Sequence, residues 1–522
     1  MKTHWGKLMV IGAGLMLLAP GVGAQTYSLG TTNLVEGPSA GSDSVVLGAT
    51  NSWTATANDS WLHLSAGYQS GTVSTNVIFT FDTNSAATRT GTLTIAGQTV
   101  TITQAGSTYV AVTNTTTLVS SGLSSPRGLA VDGAGNVYIA DFTNNAIKMW
   151  TAYNNTVTTL VSSNSITPLN QPSGVAVDGL GNVYIADTGN KALKKWTAAD
   201  SNVTTLASTQ PRGVAVDGAG NVYFSDLSTL WIKKWTAVNS NIATLVYGDG
   251  SPYGVAVDSA GNVYHSDLMV NKVSKWTLAN RIDTTLVSVG LLSPQGVAVD
   301  GGGNVYIANN QSGYVQKFTV VNGTLTTLAS FGFGLNGAGG VAVDGAGNVY
   351  MADRSNNSVK ALPHAFIDST TKVEGALAGS DALPVVVPAT ANLSGPFAPS
   401  SDSAWLTISG VNNGVVSYAF TANYTTNRTA SITLLGQKIA VTQPAVLPPV
   451  LNNCTIQGDG SLRFGFTNNQ GATFTVWTAT NMMLPFTNWT QLCTLTNNGS
   501  GQYNFTNPPE NSSQRFYRVT AP

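Results

Sequence analysis

The sequence predicts an all-β protein built from repeated strands, and three observations lead to that class. A segment typified by "PRGVAVDGAGNVYFSD", Pro211–Asp226, recurs six times at a spacing near 42 residues. A second, longer motif occurs once on each side of this array. Only 9% of the residues are charged, against about 25% in typical globular proteins, and the abundant Thr, Asn, Ser and Gly are poor helix formers.

Each copy of the shorter repeat predicts four strands and one conserved type of turn. Its marker aspartates are Asp132, Asp178, Asp217, Asp258, Asp300 and Asp344, at spacings of 46, 39, 41, 42 and 44 residues. The alternating segments "GVAVD", "NVYIAD", "ALKKWTA" and "VTTLAS" predict the strands, and such a period is that of a β-propeller blade. In the D-x-x-G-N turn the aspartate bonds to backbone amides and the glycine supplies a positive φ. We therefore interpret these aspartates as structural, since a calcium loop needs alternating carboxylates that the turn lacks.

The two ends of the array predict a closed ring. Five repeats finish with a fourth strand, whereas the sixth, "SVKALPHAFID", stops after its third. The missing strand stands upstream as "NTTTLVSS", Asn114–Ser121. Because ring closure removes the open sheet edge, we expect this strand to complete the last blade of a six-bladed β-propeller over residues 106–365.

The pattern P-x-G-V-A-V-D-x-x-G-N-V-Y-I-A-D resembles the NHL-repeat family of β-propellers. Departures are Ala338 in place of Pro, Asn309 in place of the final Asp, and "FGFGLNGAGG" before the sixth blade. Catalytic propellers of similar kind, the gluconolactonase-like and streptogramin-lyase-like enzymes, hold a metal or catalytic groups in the channel with Glu, Asn, Asp or His. This ring has no Glu and only His265 and His364. We predict no catalytic residue, metal or cofactor, interpret His265 as a packed or hydrogen-bonded side chain, and leave open a site made of Asp, Asn or His alone.

The longer motif predicts two small β-sandwiches, at residues 25–105 and 366–445. "VEGPSAGSDSVVL", "DSWLHLS" and "TRTGTLTIAGQTVTITQAG" are echoed by "VEGALAGSDALPVVV", "SAWLTIS" and "NRTASITLLGQKIAVTQPA". These segments resemble BACON domains, a family common beside bacterial glycan-acting modules and suspected of binding carbohydrate. Trp61 and Trp405 could stack on sugar rings, but we expect them to fill the sandwich cores.

The two ends of the chain carry further signals. Residues 1–24 combine Lys2 and Lys7, an apolar run and small residues before Gln25, which predicts a cleaved secretory signal peptide, with a retained membrane anchor as the alternative. Residues 446–522 begin with a Pro-Pro linker, Val446–Asn453, and the remainder predicts a fibronectin-like sandwich. Its Cys454 and Cys493 suggest one disulfide in an oxidising compartment; two buried thiols are the alternative.

Charge and hydropathy narrow the classes of partner. Lys+Arg (23) nearly equal Asp+Glu (24), so no long-range field attracts nucleic acid or an anionic membrane. Past the N-terminus no apolar run reaches the roughly 18 residues of a membrane helix. We expect a monomer, and we interpret the lysines of the third strands as solvated strand edges; they are Lys194, Lys195, Lys233, Lys234, Lys275 and Lys317.

Variation within the repeats predicts a binding surface. The residue between Pro and Gly differs in every blade except for one pair, and these positions should crowd one mouth of the channel: Arg127, Ser173, Arg212, Tyr253, Gln295 and Gly339. Loops between the second and third strands place Phe142, Asp187, Trp231, Met269, Tyr314 and Arg354 beside them. A constant scaffold with one varied rim is how repeat proteins build binding sites; plain solvated loops are the alternative.

Three functions follow. The favoured hypothesis is a secreted or cell-surface binding protein whose rim, chiefly Arg127, Ser173, Arg212, Tyr253, Gln295, Phe142 and Arg354, recognises a glycan or a surface protein. The alternatives are a channel-sited lyase or lactonase, and a structural protein of the envelope. Arginine forks and a tyrosine suit hydroxyl-rich or peptide ligands.

Overall fold

The structure, a computed structural model, describes residues 27–248, 250–330, 337–446, 449–468, 472–496, 501–508 and 514–521. The predicted signal peptide lies outside the described residues. The all-β class is confirmed, since the helical elements described are short 3-10 turns at Ala66–Tyr68, Gly395–Phe397 and Phe486–Asn488. No helix in these ranges is long and apolar enough to cross a membrane.

The first module is a two-sheet β-sandwich. Its strands are β1 (Tyr27–Leu29), β2 (Asn33–Glu36), β3 (Gly41–Ala49), β4 (Trp53–Ala57), β5 (Leu62–Leu64), β6 (Ser70–Gly71), β7 (Thr75–Phe81), β8 (Arg89–Ile95) and β9 (Gln98–Gln104). One sheet has the order β1-β3-β7-β5 and the other β2-β9-β8-β4-β6, with β2 parallel to β9. The alternating apolar residues of both sheets, such as Val45, Phe79 and Leu93, meet in one core.

The propeller follows after β10 (Tyr109–Ala111) and β11 (Thr116–Val119). Its further strands, four for each of the first five blades, are β12 (Pro126–Val131), β13 (Val137–Asp141), β14 (Ala146–Thr151), β15 (Thr156–Val161); β16 (Pro172–Val177), β17 (Val183–Asp187), β18 (Ala192–Trp196), β19 (Val203–Ser208); β20 (Pro211–Val216), β21 (Val222–Asp226), β22 (Trp231–Trp235), β23 (Ile242–Val246); β24 (Pro252–Val257), β25 (Val263–Asp267), β26 (Lys272–Thr277), β27 (Ile282–Val287); β28 (Pro294–Val299), β29 (Val305–Asn309), β30 (Tyr314–Thr319) and β31 (Thr324–Ala329). The last blade contains β32 (Ala338–Val343), β33 (Val349–Asp353) and β34 (Ser358–Leu362).

Strand β11 completes the last blade, as the sequence predicted. The sheet has the order β11-β34-β33-β32, and β11 pairs antiparallel with β34 through Thr116↔Ala361 and Thr117↔Lys360. Leu118 and Val119 are buried in the core that this blade shares with its neighbours. The edge of the final sheet is therefore covered by a strand that precedes the first blade.

The innermost strands form a closed circuit around the axis. Strands β12, β16, β20, β24, β28 and β32 each contact the next, and β32 contacts β12. Six glycines stand where these strands approach most closely: Gly128, Gly174, Gly213, Gly254, Gly296 and Gly340. A Cβ built on Gly213 would lie 2.2 Å from the carbonyl oxygen of Tyr253, and one on Gly340 would lie 2.1 Å from that of Arg127. We call these six residues the axis glycines.

The turn aspartates are structural, which confirms their interpretation. In the third blade the Asp217 Oδ1 accepts the amides of Ala219 and Asn221 at 3.0 and 2.9 Å. Its Oδ2 accepts the Asn221 amide group at 2.8 Å and the Tyr223 hydroxyl at 3.0 Å. The other five blades repeat the pattern, and in the first, burial and the Asp132 carboxylate together raise the pKa of Tyr138 to about 12.

A second sandwich and a C-terminal module follow the propeller. Their strands are β35 (Phe366–Asp368), β36 (Lys372–Val373), β37 (Gly379–Ala382), β38 (Ser400–Ser401), β39 (Leu406–Asn412), β40 (Val415–Phe420), β41 (Arg428–Leu434), β42 (Gln437–Gln443), β43 (Asn452–Ile456), β44 (Leu462–Thr467), β45 (Thr473–Ala479), β46 (Thr490–Thr496), β47 (Gln502–Asn507) and β48 (Phe516–Thr520). Strands β10 and β35 pair antiparallel, so the chain enters and leaves the ring side by side. Strand β36 runs parallel to β42, as β2 does to β9, so the two sandwiches share this feature of topology.

The sandwich tryptophans serve as core residues. Trp61 is buried in the first sandwich, and Trp405 packs against the core that the second sandwich shares with the propeller. The guanidinium carbon of Arg89 lies 4.3 Å from the Trp61 ring centroid, and that of Arg428 lies 4.3 Å from the Trp405 ring centroid. Trp61 therefore fills its core as expected, whereas Trp405 is half-buried at the margin of its core, beneath Arg428.

The predicted disulfide is not formed in this structure. Cys454 and Cys493 are free thiols, the first exposed and the second half-buried. Cys454 lies on β43 of the sheet β43-β44-β47, whereas Cys493 lies on β46 of the sheet β46-β45-β48. The two cysteines therefore belong to different sheets of the C-terminal module.

The axis glycines yield a matched test of ring geometry. Gly213→Ala should lower the free energy of unfolding by about 2 kcal/mol or more, because the new methyl group collides with backbone that cannot rotate away. Gly218→Ala in the adjacent turn should change it by less than about 0.5 kcal/mol, since no atom lies within 4 Å of a Cβ there. Equal effects of the two changes in denaturant titrations would contradict this packing.

Candidate functional site

The six varied positions lie around one opening of the channel. Each directly precedes an axis glycine, so the close approach of the inner strands brings the six backbones together. The Cβ position of Gly339, for example, is 3.5 Å from the Arg127 Cα, and Ser173, Arg212 and Tyr253 line the same small cavity. We call the surface formed by Arg127, Ser173, Arg212, Tyr253, Gln295, Phe142 and Arg354 the rim; its role in binding stays a prediction.

Guanidinium and aromatic groups alternate on the rim. The Arg127 guanidinium carbon lies 3.3 Å from the centroid of the Phe142 ring, and that of Arg212 lies 4.8 Å from the centroid of the Tyr253 ring. Burial lowers the pKa of Arg127, and the charges of Arg354 and Arg212 lower it further, whereas Tyr253 acts in the opposite direction. The charges of Arg212 and Arg354 therefore act on the guanidinium group of Arg127.

Two buried polar atoms of the rim have no hydrogen-bond partner within the described part of the chain. They are the Arg127 Nε and the Gln295 Oε1. Ser173 differs, because its Oγ lies 2.5 Å from the Thr188 Oγ1 and donates to the Arg212 carbonyl at 2.9 Å. A buried polar atom left without a partner costs about 1–3 kcal/mol, and such atoms at functional sites are often those that a ligand engages.

Four carboxylates beneath the rim are paired with lysines. Each of the four lies at the end of a second strand and meets a third-strand lysine of its own blade: Asp141–Lys148 at 2.8 Å, Asp187–Lys194 at 2.7 Å, Asp226–Lys233 at 2.6 Å and Asp353–Lys360 at 3.5 Å. In the fourth blade Ser274 stands in place of the lysine, and the Asp267 Oδ1 accepts the backbone amides of Ser251 and Met269 at 3.0 and 3.1 Å. In the fifth blade, where Asn309 replaces the aspartate, its amide group donates instead to the Gln316 Oε1 at 3.0 Å. These carboxylates are committed to structure and do not neutralise the rim arginines.

This pairing corrects the interpretation of Lys194 and Lys233 as solvated edge residues. The third strand is flanked by strands on both sides, as β18 is by β17 and β19, so it is not an edge of the sheet. The remaining third-strand lysines lie over tyrosine rings of the same blade: Lys195 over Tyr184, Lys234 over Tyr223, Lys275 over Tyr264 and Lys317 over Tyr306.

Not every neighbouring loop residue joins the rim. Trp231 packs edge-on against Tyr247, with ring centroids 4.9 Å apart, Met269 is 73% exposed, and Asp187 is held by Lys194. Phe142 contacts Arg127 directly and Arg354 acts on its charge. Of these loop residues, Phe142 and Arg354 are therefore the two that we count with the rim.

The channel itself is too narrow to hold a substrate. Its cavity, lined by the axis glycines and the adjacent valines, has a volume of about 50 Å³. Small-molecule sites usually occupy about 300–1,000 Å³. A ligand can therefore be recognised at the rim, but it would not be enclosed at the axis.

His265 and the acidic residues supply no evident metal centre. The His265 Nε2 lies 3.0 Å from the Asp283 Oδ1, and its ring is buried, which confirms the interpretation as a packed, hydrogen-bonded histidine. Across the described ranges, no group of three or more His, Cys, Asp or Glu side chains is arranged to hold a metal ion.

A second cluster of polar side chains could not be predicted from the sequence, because its members come from distant parts of the chain. On the opposite face of the disc, the first sandwich docks on the D-G-G-G-N turn of the fifth blade. The Val46 amide donates to the Gly301 carbonyl at 2.9 Å, and the Ser44 hydroxyl donates to the Gly302 carbonyl at 2.5 Å. Position 302 carries Ala or Leu in the other blades; a Cβ here would lie 2.8 Å from the Ser44 carbonyl oxygen.

This docking brings sandwich carboxyls to the propeller. A cavity of about 490 Å³ separates the two modules, lined by Glu36 and Asp43 of the sandwich and by Asp300, Lys317 and His364 of the ring. Burial raises the pKa of Glu36 well above its usual value, and Asp43 raises it further. Burial and then Asp300 raise the pKa of Asp43, while Lys317 opposes the shift. The propeller sequence contains no glutamate, so the glutamate that lines this cavity, Glu36, comes from the first sandwich.

Two family models match the chain. The NHL repeat model matches residues 123–148 and 169–196. The BACON model, described as "Putative binding domain, N-terminal", matches residues 51–105 and 398–444. The chain carries NHL repeats and BACON domains, and the resemblances found in the sequence are confirmed. No curated protein matches this chain.

Solved structures similar to this chain include three bacterial proteins. A gluconolactonase of Xanthomonas campestris is 17% identical, with a TM-score of 0.41 over 48% of this chain and 89% of that one. A protein of unknown function from Bacteroides thetaiotaomicron is 15% identical, with a TM-score of 0.44 over 65% and 98%. Virginiamycin B lyase of Staphylococcus aureus is 13% identical, with a TM-score of 0.36 over 64% and 98%. At these values the similarities carry no argument about function.

The carboxyl pair predicts that docking of the sandwich weakens as pH rises. Groups whose pKa is raised in the docked state hold their protons more tightly there, so their contribution is present at acid pH and is lost as pH rises through the raised pKa. The thermal midpoint of the full chain should therefore fall from about pH 5 to about pH 8. In Glu36→Gln the fall should be smaller, because one ionising group is gone.

The matching control is Glu374→Gln. Glu374 holds the corresponding place in the second sandwich, where it accepts the Tyr418 hydroxyl at 2.5 Å, and it shows how much of any change comes from removing a carboxylate elsewhere. An identical pH slope in wild type and Glu36→Gln would contradict the proposed coupling.

Proposed function

We propose that this chain is a secreted or cell-surface binding protein whose propeller rim recognises a glycan or a protein ligand. The observation that carries the proposal is the rim itself: three arginines, two aromatic rings and unpartnered buried polar atoms around one opening of a rigid ring. Export rests on the N-terminal sequence alone. In this proposal the two BACON domains and the C-terminal module act as spacers or auxiliary binding domains.

The small volume at the axis favours binding over channel-sited catalysis. A lyase or lactonase acting there would need to enclose its substrate, whereas the available cavity measures about 50 Å³. The rim combines partly exposed Arg127, Arg212, Phe142 and Arg354 with buried Ser173, Tyr253 and Gln295. Such a surface suits a polymer or a protein, because these ligands need contact from one side only.

The proposal predicts that one face of the disc carries recognition. Arg127→Ala, Arg212→Ala and Tyr253→Ala together should abolish binding of any ligand found by screening glycans and surface proteins, because guanidinium and aromatic anchors dominate such sites. The expected loss is at least about 100-fold in Kd, measured by titration calorimetry on the full chain.

The matched control lies on the opposite face of the disc. Lys195→Ala and Lys234→Ala remove two cations beside the D-x-x-G-N turns, and should leave the Kd unchanged. Retained affinity in the rim variant, with the melting temperature preserved, would rule out the rim as the binding site.

A further inference from the structure

Three arginines on the rim share one opening, and in the part of the chain that the structure describes none of them forms a salt bridge with a carboxylate. Arg354 and Arg212 are the like charges that act on Arg127, and the Arg354 Nε donates to the neutral Ser125 Oγ at 3.0 Å. Like charges held together destabilise one another unless an anion lies between them. The rim is therefore arranged for a negative group.

The charges of the layer beneath do not change this conclusion. The strand-end aspartates Asp141, Asp187, Asp226 and Asp353 are each within 3.5 Å of a lysine of the same blade. Each such pair is neutral overall. Asp267 of the fourth blade, where Ser274 replaces the lysine, accepts backbone amides of Ser251 and Met269, so none of these five carboxylates, all within the described ranges, forms a salt bridge with a rim arginine. Planar guanidinium groups also match carboxylate and sulfate oxygens in bidentate geometry.

The ring as a whole carries no net charge. Residues 106–365 contain 14 Lys+Arg and 14 Asp, so the net charge of the ring is 14 − 14 = 0. A partner with a broad acidic surface would require a broad basic one. The rim instead suits a ligand that carries separate anionic groups, one of which binds at the channel mouth at a time.

The uncharged residues of the rim favour a hydroxyl-rich ligand around that anion. The Gln295 Oε1 is buried, has no hydrogen-bond partner among the described residues and can accept from a hydroxyl, and the Phe142 and Tyr253 rings lie beside the guanidinium groups. Aromatic rings with nearby hydrogen-bonding groups suit sugar rings.

We infer that the rim binds an acidic glycan, in which carboxylate or sulfate groups recur along a polyhydroxylated chain. Arg127, Arg212 and Arg354 hold one anionic group at the channel mouth, while Gln295 contacts hydroxyls of the adjoining sugar. This inference rests on the proposed function and specifies the ligand of the same surface.

The test compares two forms of one polymer. Polygalacturonate and its fully methyl-esterified form have the same sugar backbone and differ in charge. The full chain should bind the charged polymer, with a Kd that rises with salt, and should bind the ester at least about tenfold more weakly, the effect of losing one charge-assisted contact. Arg212→Gln should lose about tenfold toward polygalacturonate, and Lys195→Gln on the opposite face should lose nothing.

Each remaining outcome overturns a distinct claim. Equal binding of both polymers that Arg212→Gln still weakens would remove the anion requirement and leave the rim as a glycan site. Binding of polyglutamate in preference to either polymer would replace the glycan by an acidic peptide. Binding that none of the three arginine-to-glutamine variants weakens would remove the proposed function of the rim as well.

Discussion

Everything in the propeller depends on how closely six strands approach its axis. At the axis glycines the backbones are near enough that a single methyl group would collide with the carbonyl of the next blade. This contact is possible only without a side chain, which is why glycine recurs there while the preceding residue is free to vary. The constraint sets the cavity at about 50 Å³ and places the six varied residues around its mouth.

The two faces of the disc differ in how much their residues vary between blades. On one face, the residues at the starts of the innermost strands differ between blades and form the rim. On the other, the D-x-x-G-N turns are nearly identical, and the departure in the fifth blade, Gly302, coincides with the place where the first sandwich docks. Docking places Glu36 and Asp43 beside Asp300, so this interface gathers carboxyl groups, whereas the rim gathers guanidinium groups.

Local pattern predicted the parts of this structure that repeat within the chain. Alternation and turn glycines predicted the blades, and the orphan strand at Asn114–Ser121 predicted the closure now seen between β11 and β34. What could not be predicted were contacts between residues far apart in sequence. The pairing of Lys194 with Asp187 depends on which strand is the sheet edge, and the meeting of Glu36 with Asp300 depends on how two modules dock. The separation of Cys454 and Cys493 onto different sheets belongs to the same class.

Closure by β11 is the claim from which the rim follows, and a crosslink tests it directly. Thr116 and Ala361 are paired across β11 and β34, and paired strands bring Cα atoms within about 4.5–5.5 Å, inside the range of a disulfide. In a chain with Cys454→Ser and Cys493→Ser, Thr116→Cys and Ala361→Cys should form an intramolecular disulfide under native conditions, identified by peptide mass spectrometry, and its yield should fall in denaturant. Free thiols at both positions in the folded chain would show that β11 lies elsewhere and that the ring is not closed in this way.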